Sequence, residues 1–343
     1  MNTDYISKVV EGRTFWLRVL SLSLLLGLTV SDNVFSAPRR VMQYGRFNES
    51  NVLSLVSSKN VYLSKDDMRN LIELMESLNC TGKETICRKI CLALVANRNV
   101  NAAVYTELAR SYYAVLGDFS NDDTAIKYLQ LALKCDPQFS QAYSCLAEIA
   151  VNTGDFRKAL VYAEKGISCP NPYPDCHLQK SYALVGLKRP HEALAALELA
   201  EKTQPDRAEV FRTRGSLLES LHKYDEAIAN FRKAHSIDNK DWTEFQIAHC
   251  LEEKGCIEEA VKEVSKIIAS NPRDAEAYRF RARLSETQKK YKEAIRDLSI
   301  TIELEPTSKT CLDRARLYEA IGRKDLAAKD KKTAEAMIAR PID

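Results

Sequence analysis

The residues of this chain that could carry chemistry are five histidines, ten cysteines and several adjacent carboxylates. A zinc hydrolase needs two histidines one helical turn apart beside a glutamate, and nucleotide binding needs a glycine-rich loop after a strand. The histidines (His177, His191, His222, His235 and His249) show no such spacing, and no such loop follows a strand-like segment. Adjacent carboxylates such as Glu252 and Glu253 fit a solvated helix face. We therefore expect no enzymatic activity, no catalytic residue and no cofactor.

Eight of the cysteines form four short-range pairs around predicted turns. In an oxidising compartment such pairs could form disulfides, whereas a reduced cysteine serves as a small apolar residue in helix packing. The sequence leaves both interpretations open. No C-x2-C pair occurs, so no metal site is expected. The pairs are Cys80 and Cys87, Cys135 and Cys145, Cys169 and Cys176, and Cys250 and Cys256. Cys91 and Cys311 belong to none of these pairs.

Charge and composition narrow the class of protein. The 343 residues carry 50 Lys+Arg and 47 Asp+Glu, which gives a net charge of +3. This balance lacks the basic excess that nucleic-acid binding requires, so no nucleic-acid partner is expected. With 45% hydrophobic residues and 28% charged residues, the chain resembles a helical array with a long core.

The elements that would position these residues repeat along the chain. Two series of small residues recur, and consecutive members lie about 34 residues apart, except that the first unit carries four extra residues. A fixed period of this length indicates one helical hairpin that is copied and stacked. The first series is Ala109, Ala147, Ser181, Gly215, Ala248, Ala282 and Ala315, and the second is Ala125, Ala159, Ala193, Ala227, Ala260, Ala294 and Ala327.

The unit at residues 208–241 shows the physical reason for the pattern. Phe211 and Gly215 share one helical face, and Ala227 and Phe231 share a second. Two antiparallel helices approach closely only where their side chains are short, so Gly215 and Ala227 are expected to face each other. Between the two helices of other units lie glycines such as Gly154, where the turn needs a positive φ.

The repeated unit follows a fixed order of positions: aromatic, small, tyrosine-like, alanine, phenylalanine, and finally proline. This order resembles that of the tetratricopeptide repeat (TPR) family. That resemblance implies an all-α fold, an α-solenoid of stacked antiparallel helix pairs forming a TPR superhelix, with about seven repeats and an N-terminal helical cap. The last repeat carries charges at 329–332, which we interpret as a capping helix that faces water. The expected repeats are 102–139, 140–173, 174–207, 208–240, 241–274, 275–307 and 308–341.

In the resembled family, the first helix of each repeat lines a groove that holds a peptide or a partner helix. Trp242 lies at a position that the fold does not need for packing, so it is a candidate anchor. Nearby arginines could pair with carboxylates or phosphates of a ligand. The alternative is that these long side chains only cover their own helix. The candidate peptide-binding residues are Arg212, Trp242, Phe245, His249, Arg279, Arg283, Arg316 and Tyr182, and other inward positions are Gln141, Glu148, Leu178 and Leu312.

Some family members bind the C-terminal carboxylate of chaperones through lysines and asparagines at set positions. The matching positions of the first three repeats do not carry that set, which argues against a co-chaperone of this kind. They hold Thr106, Arg110, Cys145, Asp175 and Gln179.

Two segments precede the repeats. Residues 38–101 are expected to contain a linker and a divergent helical hairpin that begins near Ser64 and breaks at Thr81-Gly82. Residues 1–37 contain an apolar run from Val19 to Val30 after basic residues, with cleavage possible after Ser36 or Ala37. This layout is typical of a secretory signal peptide, and the run is short for a membrane span. An uncleaved anchor and a cytoplasmic helix are the alternatives.

These observations lead to three hypotheses of function. The first is a non-catalytic interaction scaffold, exported or facing the periplasm, that binds a protein or peptide partner in the TPR groove. The second is a cytosolic TPR adaptor or co-chaperone-like protein with free thiols. The third is an accessory subunit that positions a substrate for a separate enzyme. Membrane contact is expected only if the N-terminal apolar segment stays uncleaved.

Overall fold

A computed structural model of the chain describes residues 51–57, 63–113, 122–238 and 241–338. Every regular element in these ranges is an α-helix. Within the described residues, three helices precede the predicted repeats: α1 (Val52–Ser57), α2 (Lys65–Cys80) and α3 (Glu84–Ala96). The predicted signal peptide lies outside the described residues. Within the described part, no helix combines the length and the apolar character that crossing a membrane requires.

In the part of the chain that the structure describes, fourteen further helices follow, two in each predicted repeat. The two helices of a pair pack together in α4–α5, α6–α7, α10–α11, α12–α13, α14–α15 and α16–α17. The predicted fold class, an all-α solenoid of antiparallel helix pairs, is confirmed. The helices are α4 (Ala102–Tyr113), α5 (Asp122–Cys135), α6 (Ser140–Asn152), α7 (Phe156–Ile167), α8 (Asp175–Gly186), α9 (Pro190–Thr203), α10 (Ala208–Ser220), α11 (Tyr224–Ile237), α12 (Asp241–Glu253), α13 (Ile257–Ser270), α14 (Ala275–Thr287), α15 (Tyr291–Leu304), α16 (Ser308–Ala320) and α17 (Lys324–Ile338).

The chain divides into two compact units. Unit 1 ends at Ala200 and unit 2 begins at Glu201, so the division falls inside α9. Unit 1 contains the N-terminal hairpin and α4–α8, and unit 2 contains α10–α17. The repeat pattern in the sequence is continuous at this point and did not indicate the division.

A left-handed residue separates the two helices of six successive repeats. Gly154 and Gly255 have φ values of +79° and +83°, as the turn prediction required. The same slot in other repeats holds non-glycine residues, among them His222 with φ 59°. This backbone conformation is strained for residues with a Cβ, so the helix packing on both sides must hold these turns in place. The full set is Gly154, Lys188, His222, Gly255, Lys289 and Gly322.

The helix crossing in the 208–240 repeat is tighter than the sequence suggested. A Cβ on Gly215 would lie 2.7 Å from Cε1 of Phe231 and 2.9 Å from its Cδ1. The side chain that occupies the space beside Gly215 is therefore the ring of Phe231, which is fully buried. Ala227 is fully buried one turn earlier on the same helix as Phe231.

The last helix differs from the prediction at one residue. Lys329, Lys331 and Lys332 are exposed, as expected for a helix that faces water. Asp330, in the middle of this run, is only 5% exposed. Its two carboxylate oxygens accept hydrogen bonds from Nε and Nη2 of Arg314, each at 2.7 Å. Asp330 is therefore an internal residue that joins α17 to α16.

The N-terminal hairpin begins at a capping box. Ser64 Oγ accepts a hydrogen bond from the backbone N–H of Asp67, and the Asp67 carboxylate accepts one from the backbone N–H of Ser64. Gly82, with φ +76°, follows the end of α2, and α3 begins two residues later. Leu71, Met75, Ile90 and other side chains of these helices form one buried cluster that extends to α4.

Candidate partner-binding site

Arg212 and Trp242 lie against each other in unit 2. Arg212 is on α10 and Trp242 is on α12, the first helices of two successive repeats. The guanidinium carbon of Arg212 lies 5.3 Å from the centre of the indole ring, within cation–π distance. Nη1 of Arg212 also donates to Oδ2 of Asp238 at 3.2 Å. Trp242 is half-buried rather than part of the interior.

A second aromatic group lies on α12 and α14. The rings of Phe245 and Phe280 stack with their centres 6.2 Å apart and an angle of 9° between their planes. The Arg283 guanidinium lies over the Phe280 ring at 4.7 Å. Phe280 is nearly buried and was not among the predicted site residues. The sequence feature that could have identified Phe280 is its aromatic side chain, which lies one helical turn before Leu284 on the same helix.

Three of the predicted basic residues belong to a series of pairs between successive first helices, which we name the charge ladder. Each base directly follows the small residue of its helix, and each acid lies four residues after the small residue of the preceding first helix. The assignment of Glu252 to a solvated helix face was wrong, because its side chain is only 19% exposed and pairs with Arg283. Glu219 and Glu286 recur with the same repeat period and were not singled out. The pairs are His249 Nδ1 to Glu219 Oε1 at 2.7 Å, Arg283 Nη2 to Glu252 Oε2 at 2.7 Å, and Arg316 Nη1 to Glu286 Oε1 at 3.0 Å.

The first pair of the charge ladder is the most buried. Glu219 is only 5% exposed, and its second oxygen, Oε2, has no hydrogen-bond partner among the described residues. The hydrogen bond to Glu219 raises the pKa of His249, although burial opposes the charged imidazole; Glu253 and Glu252 add to the rise. Burial raises the pKa of the neighbouring Cys250 thiol, and the charge of Glu219 raises it further. Cys250 is therefore a thiol and not a thiolate near neutral pH.

The remaining predicted residues are separate from these contacts. Arg279 pairs with Glu276 within its own helix and is exposed. Leu312 is an exposed apolar side chain on α16. Tyr182 is half-buried on α8 and belongs to unit 1, together with Gln141, Glu148 and Leu178. The structure thus brings Arg212, Trp242, Phe245, His249 and Arg283 onto adjacent first helices of unit 2. We call this surface, with its partner Phe280, the aromatic face.

The positions that would bind a chaperone carboxylate do not offer free cations. Thr106 is buried and donates to the backbone carbonyl of Ala102 at 2.8 Å. Arg110 pairs with Glu107 at 3.1 Å. Cys145 is buried, which raises its pKa to about 12. Gln179 is buried and Asp175 carries the opposite charge. These contacts agree with the sequence-based argument against this type of clamp.

All ten cysteines are free thiols in the structure. In unit 1, the Sγ atoms of Cys87 and Cys91 are 3.9 Å apart, and Cys91 Sγ lies 3.2 Å from Met75 Sδ. Both thiols pack in the buried cluster of the N-terminal hairpin, as small apolar side chains do. In the described part of the chain, no group of three or more His, Cys, Asp or Glu side chains is arranged to hold a metal ion.

The fold and these surfaces define a helical-hairpin repeat protein whose first helices carry the distinctive side chains. Two models of the family described as tetratricopeptide repeat match the sequence, one over residues 178–241 and the other over residues 219–284. The resemblance to the tetratricopeptide repeat is thereby confirmed over residues 178–284. Proteins of this fold are interaction scaffolds that bind proteins or peptides, and this chain is assigned to that class.

One solved structure, that of Cut9-Hcn1, supports the fold over a larger part of the chain, and two further proteins are similar. An Hsp70-Hsp90 organizing protein of Triticum aestivum is 26% identical over 177 residues, which are 50% of this chain and 29% of that protein. The crystal structure of the APC/C hetero-tetramer Cut9-Hcn1 has a TM-score of 0.56 and 15% identity, over 83% of this chain and 51% of that chain. A tetratricopeptide repeat protein from Parabacteroides merdae has a TM-score of 0.45 and 20% identity, over 78% of this chain and 92% of that chain. This chain thus spans under a third of the curated relative and about half of the Cut9-Hcn1 chain.

Proposed function

We propose that the aromatic face of unit 2 binds a peptide or a partner helix through an apolar or aromatic anchor side chain. The observation that carries this proposal is the pairing of aromatic rings with guanidinium groups on successive first helices. Trp242 lies beside Arg212, and Phe245 stacks on Phe280 beneath Arg283. Tryptophan and arginine are the residues that contribute most often to the energetic centres of protein interfaces.

The charge ladder determines which part of the partner contributes most to affinity. Arg283 and Arg316 already bind Glu252 and Glu286, so a ligand carboxylate would have to displace a carboxylate of the chain itself. Displacing a paired and partly desolvated group costs much of the energy that the new pair returns. An apolar side chain placed against Trp242 and Phe245 meets no such cost. We therefore expect apolar anchors, with charged groups in the partner contributing to orientation.

The test uses the full chain and a displayed library of random twelve-residue peptides. Peptides selected on the wild-type chain are expected to contain a large apolar residue. They should bind the double variant Trp242→Ala/Arg279→Ala at least tenfold more weakly. Circular dichroism should show unchanged helicity, because neither side chain belongs to the interior.

A matched control removes an exposed apolar residue and an exposed base elsewhere in unit 2. Ile338→Ala/Lys332→Ala does this on α17, because both side chains are exposed there. This variant should keep wild-type affinity for the selected peptides. Equal binding by the Trp242→Ala/Arg279→Ala variant and the wild type would remove the aromatic face as the binding site.

The location of the scaffold is a separate part of the proposal. We propose export on the basis of the basic and apolar pattern of residues 1–37 alone. The free thiols of the structure provide no support for an oxidising compartment. Sequencing the N-terminus of the chain purified from its own cells tests the proposal, since cleavage near Ala37 is expected. An intact Met1, with ten titratable thiols, would instead indicate the cytosolic adaptor.

The similarity to an Hsp70-Hsp90 organizing protein favours a co-chaperone role as the second candidate. Such a role would use a surface other than the five clamp positions, because these positions hold one arginine that is already paired. A titration of the full chain with a peptide that ends in acidic residues and a free carboxylate tests it. Binding that is kept both in Arg110→Ala and in Trp242→Ala/Arg279→Ala would favour this candidate, because it would depend neither on the clamp positions nor on the aromatic face.

A further inference from the structure

Three sulfur atoms meet inside the N-terminal hairpin of unit 1. Cys87 and Cys91 lie one helical turn apart on α3, so their thiols project from the same side of the helix. Their Sγ atoms are 3.9 Å apart, and Met75 of α2 places its Sδ 3.2 Å from Cys91 Sγ. We name these three side chains the sulfur cluster. The sequence analysis left Cys91 outside the four cysteine pairs and did not indicate this grouping.

The sulfur cluster is closed to water. All three side chains are 0% exposed, and Leu71, Ile90 and other apolar side chains of the hairpin pack in the same buried group. Cys87 Sγ also lies 4.0 Å from the backbone carbonyl oxygen of Glu107. The hydrogen bond to Cys87 and burial raise the pKa of Cys91, so this sulfur keeps its proton until another positive group replaces it.

The spacing of the sulfurs suits a metal ion. Metal–thiolate bonds in proteins are about 2.3 Å long, and three sulfurs at that distance around one ion in a plane lie about 4.0 Å apart. The two thiols already have this separation. Met75 Sδ is closer to Cys91, but its unbranched side chain has three rotatable bonds and can move outward. The movement of one flexible side chain therefore creates a set of three sulfur ligands.

The type of ligand selects among metal ions. Thiolate and thioether sulfurs are soft ligands, and together they favour Cu(I) over harder ions. Structural zinc sites use four ligands from cysteine, histidine and carboxylate, and calcium and magnesium use oxygen. The third ligand of the sulfur cluster is a methionine, which belongs to neither set. The expectation of no metal site rested on the zinc spacing C-x2-C, which a site of two thiols and one thioether does not need.

We propose that the sulfur cluster binds one Cu(I) ion. The thiols of Cys87 and Cys91 each lose a proton to solvent and form a copper–sulfur bond, and Met75 Sδ donates a lone pair. The copper stays monovalent, so no oxidant or reductant takes part. The ion joins α2 to α3 and stabilises the hairpin that precedes the repeats, because the three ligands are assembled only in the folded chain. This proposal does not depend on the aromatic face.

The test uses the full chain with serine in place of its accessible cysteines, so that only buried thiols remain. Serine suits these positions, since Cys169 Sγ donates to the backbone carbonyl of Lys165, and Cys256 is the N-cap of α13, where serine is favoured. Circular dichroism should show unchanged helicity. The replaced residues are Cys80, Cys135, Cys169 and Cys256.

Cu(I) is supplied in the absence of oxygen, and bathocuproine disulfonate competes for the ion and reports it by colour. We expect one Cu(I) per chain, with a Kd at least a hundredfold lower than that of Cys87→Ala/Cys91→Ala in the same background. Met75→Leu, which keeps both thiols and nearly the same side-chain volume, should raise the Kd at least threefold. Because the site is buried, the ion is added both to the native chain and before refolding from urea.

The matched control removes two buried thiols that lie on different helices. Cys145 on α6 and Cys311 on α16 are both buried, and Cys145→Ala/Cys311→Ala should change the Kd less than twofold. Saturating Cu(I) should raise the Tm of the background chain but not that of Cys87→Ala/Cys91→Ala. Three results would overturn the proposal: no ion retained by either route of addition, equal loss in the cluster and control variants, or an unchanged Kd in Met75→Leu.

Discussion

Gly215 shows at the scale of one residue why a small side chain recurs in each first helix. The ring of Phe231 occupies the position that a Cβ would need, at 2.7 Å. Core interiors tolerate added volume poorly because neighbouring side chains already sit in their preferred rotamers. The small residue that recurs with the repeat period therefore reflects a steric requirement of the helix crossing.

Enlarging Gly215 should destabilise the protein. We expect Gly215→Ala to lower the free energy of unfolding by about 1–3 kcal/mol, despite the better helix propensity of alanine. Urea unfolding followed by circular dichroism measures the change. The double variant Gly215→Ala/Phe231→Leu should recover part of the lost stability, because leucine leaves empty the space of the ring edge. The control Ser220→Ala, at an exposed position of α10, should not destabilise the protein. A Gly215→Ala variant with the stability of the wild type would show that the two helices separate freely at this crossing.

His249 should make stability depend on pH. Its hydrogen bond to Glu219 raises the folded-state pKa above the ordinary value of 6.5. A raised pKa means that the pair stabilises the fold fully below pH 6.5, and that this contribution is lost as pH rises through the folded-state pKa. The effect should stay below about 1 kcal/mol, since the imidazole is 41% exposed and water screens it.

Nuclear magnetic resonance titration of His249 measures this shift directly. Glu219→Gln should return the pKa of His249 toward 6.5, because it removes the largest cause of the shift. Glu253→Gln removes a weaker contribution of the same sign and should lower the pKa less. An unchanged pKa in Glu219→Gln would mean that the two side chains are not paired in solution.

At the scale of helices, an arginine ties each of the first helices α14 and α16 to two second helices. Arg281 donates to both oxygens of Asp297 at 2.8 Å and lies 3.2 Å from Ser265 Oγ. Arg314 makes the same contacts with Asp330 and with Ser299 Oγ, the latter at 2.9 Å. The serine in each case belongs to the preceding repeat, so one side chain bridges successive hairpins.

Removing one partner of this bridge should be costly. Asp330→Ala leaves the Arg314 guanidinium largely buried without its carboxylate, and we expect a loss of about 2–3 kcal/mol in the free energy of unfolding. Arg314→Met/Asp330→Leu should be closer to wild type, because apolar residues of similar size need no charge compensation. Asp325→Ala, which breaks an exposed pair with Arg323, should change little. Urea unfolding of the four chains compares them, and equal losses in Asp325→Ala and Asp330→Ala would contradict the role of burial.

At the scale of the whole molecule, the near balance of 50 basic and 47 acidic residues conceals local differences. The basic residues of the charge ladder in unit 2, for example, are each paired with an acid of the preceding first helix. Net charge is therefore a poor guide to what each unit binds. The recurrence of first helices lets one scaffold present different chemistry at different repeats.

Local damage should stay local in such an array. Stability in repeat proteins is approximately a sum of contributions from each hairpin and its neighbours. In Asp330→Ala, hydrogen exchange should accelerate most in α16 and α17, less in α14 and α15, and least in α4 and α5 of unit 1. Mass spectrometry of exchanged peptides resolves these segments. A uniform acceleration along the chain would show that the protein unfolds as one cooperative body.

The sequence alone was sufficient to determine the helical-hairpin repeat and the left-handed turn at Gly154 and Gly255. Those features are local, because they depend on periodic side-chain size and on the backbone conformations that glycine allows. The same reasoning placed the aromatic and basic candidates on first helices. It did not find Phe280, Glu219 or Glu252, because their contacts join residues about 30 positions apart.

Tertiary structure decided the burial of Asp330 inside a run of lysines, the division within α9, and the neighbours of each charged group. A carboxylate in the sequence has the same letter whether it faces water, as Glu253 does, or an arginine in the interior. Its environment depends on which helix packs over it, and that is set by the stacking of hairpins rather than by the local pattern. For the same physical reason, the acids of the charge ladder, which lie about 30 positions from their bases in the sequence, could be recognised as partners only after folding.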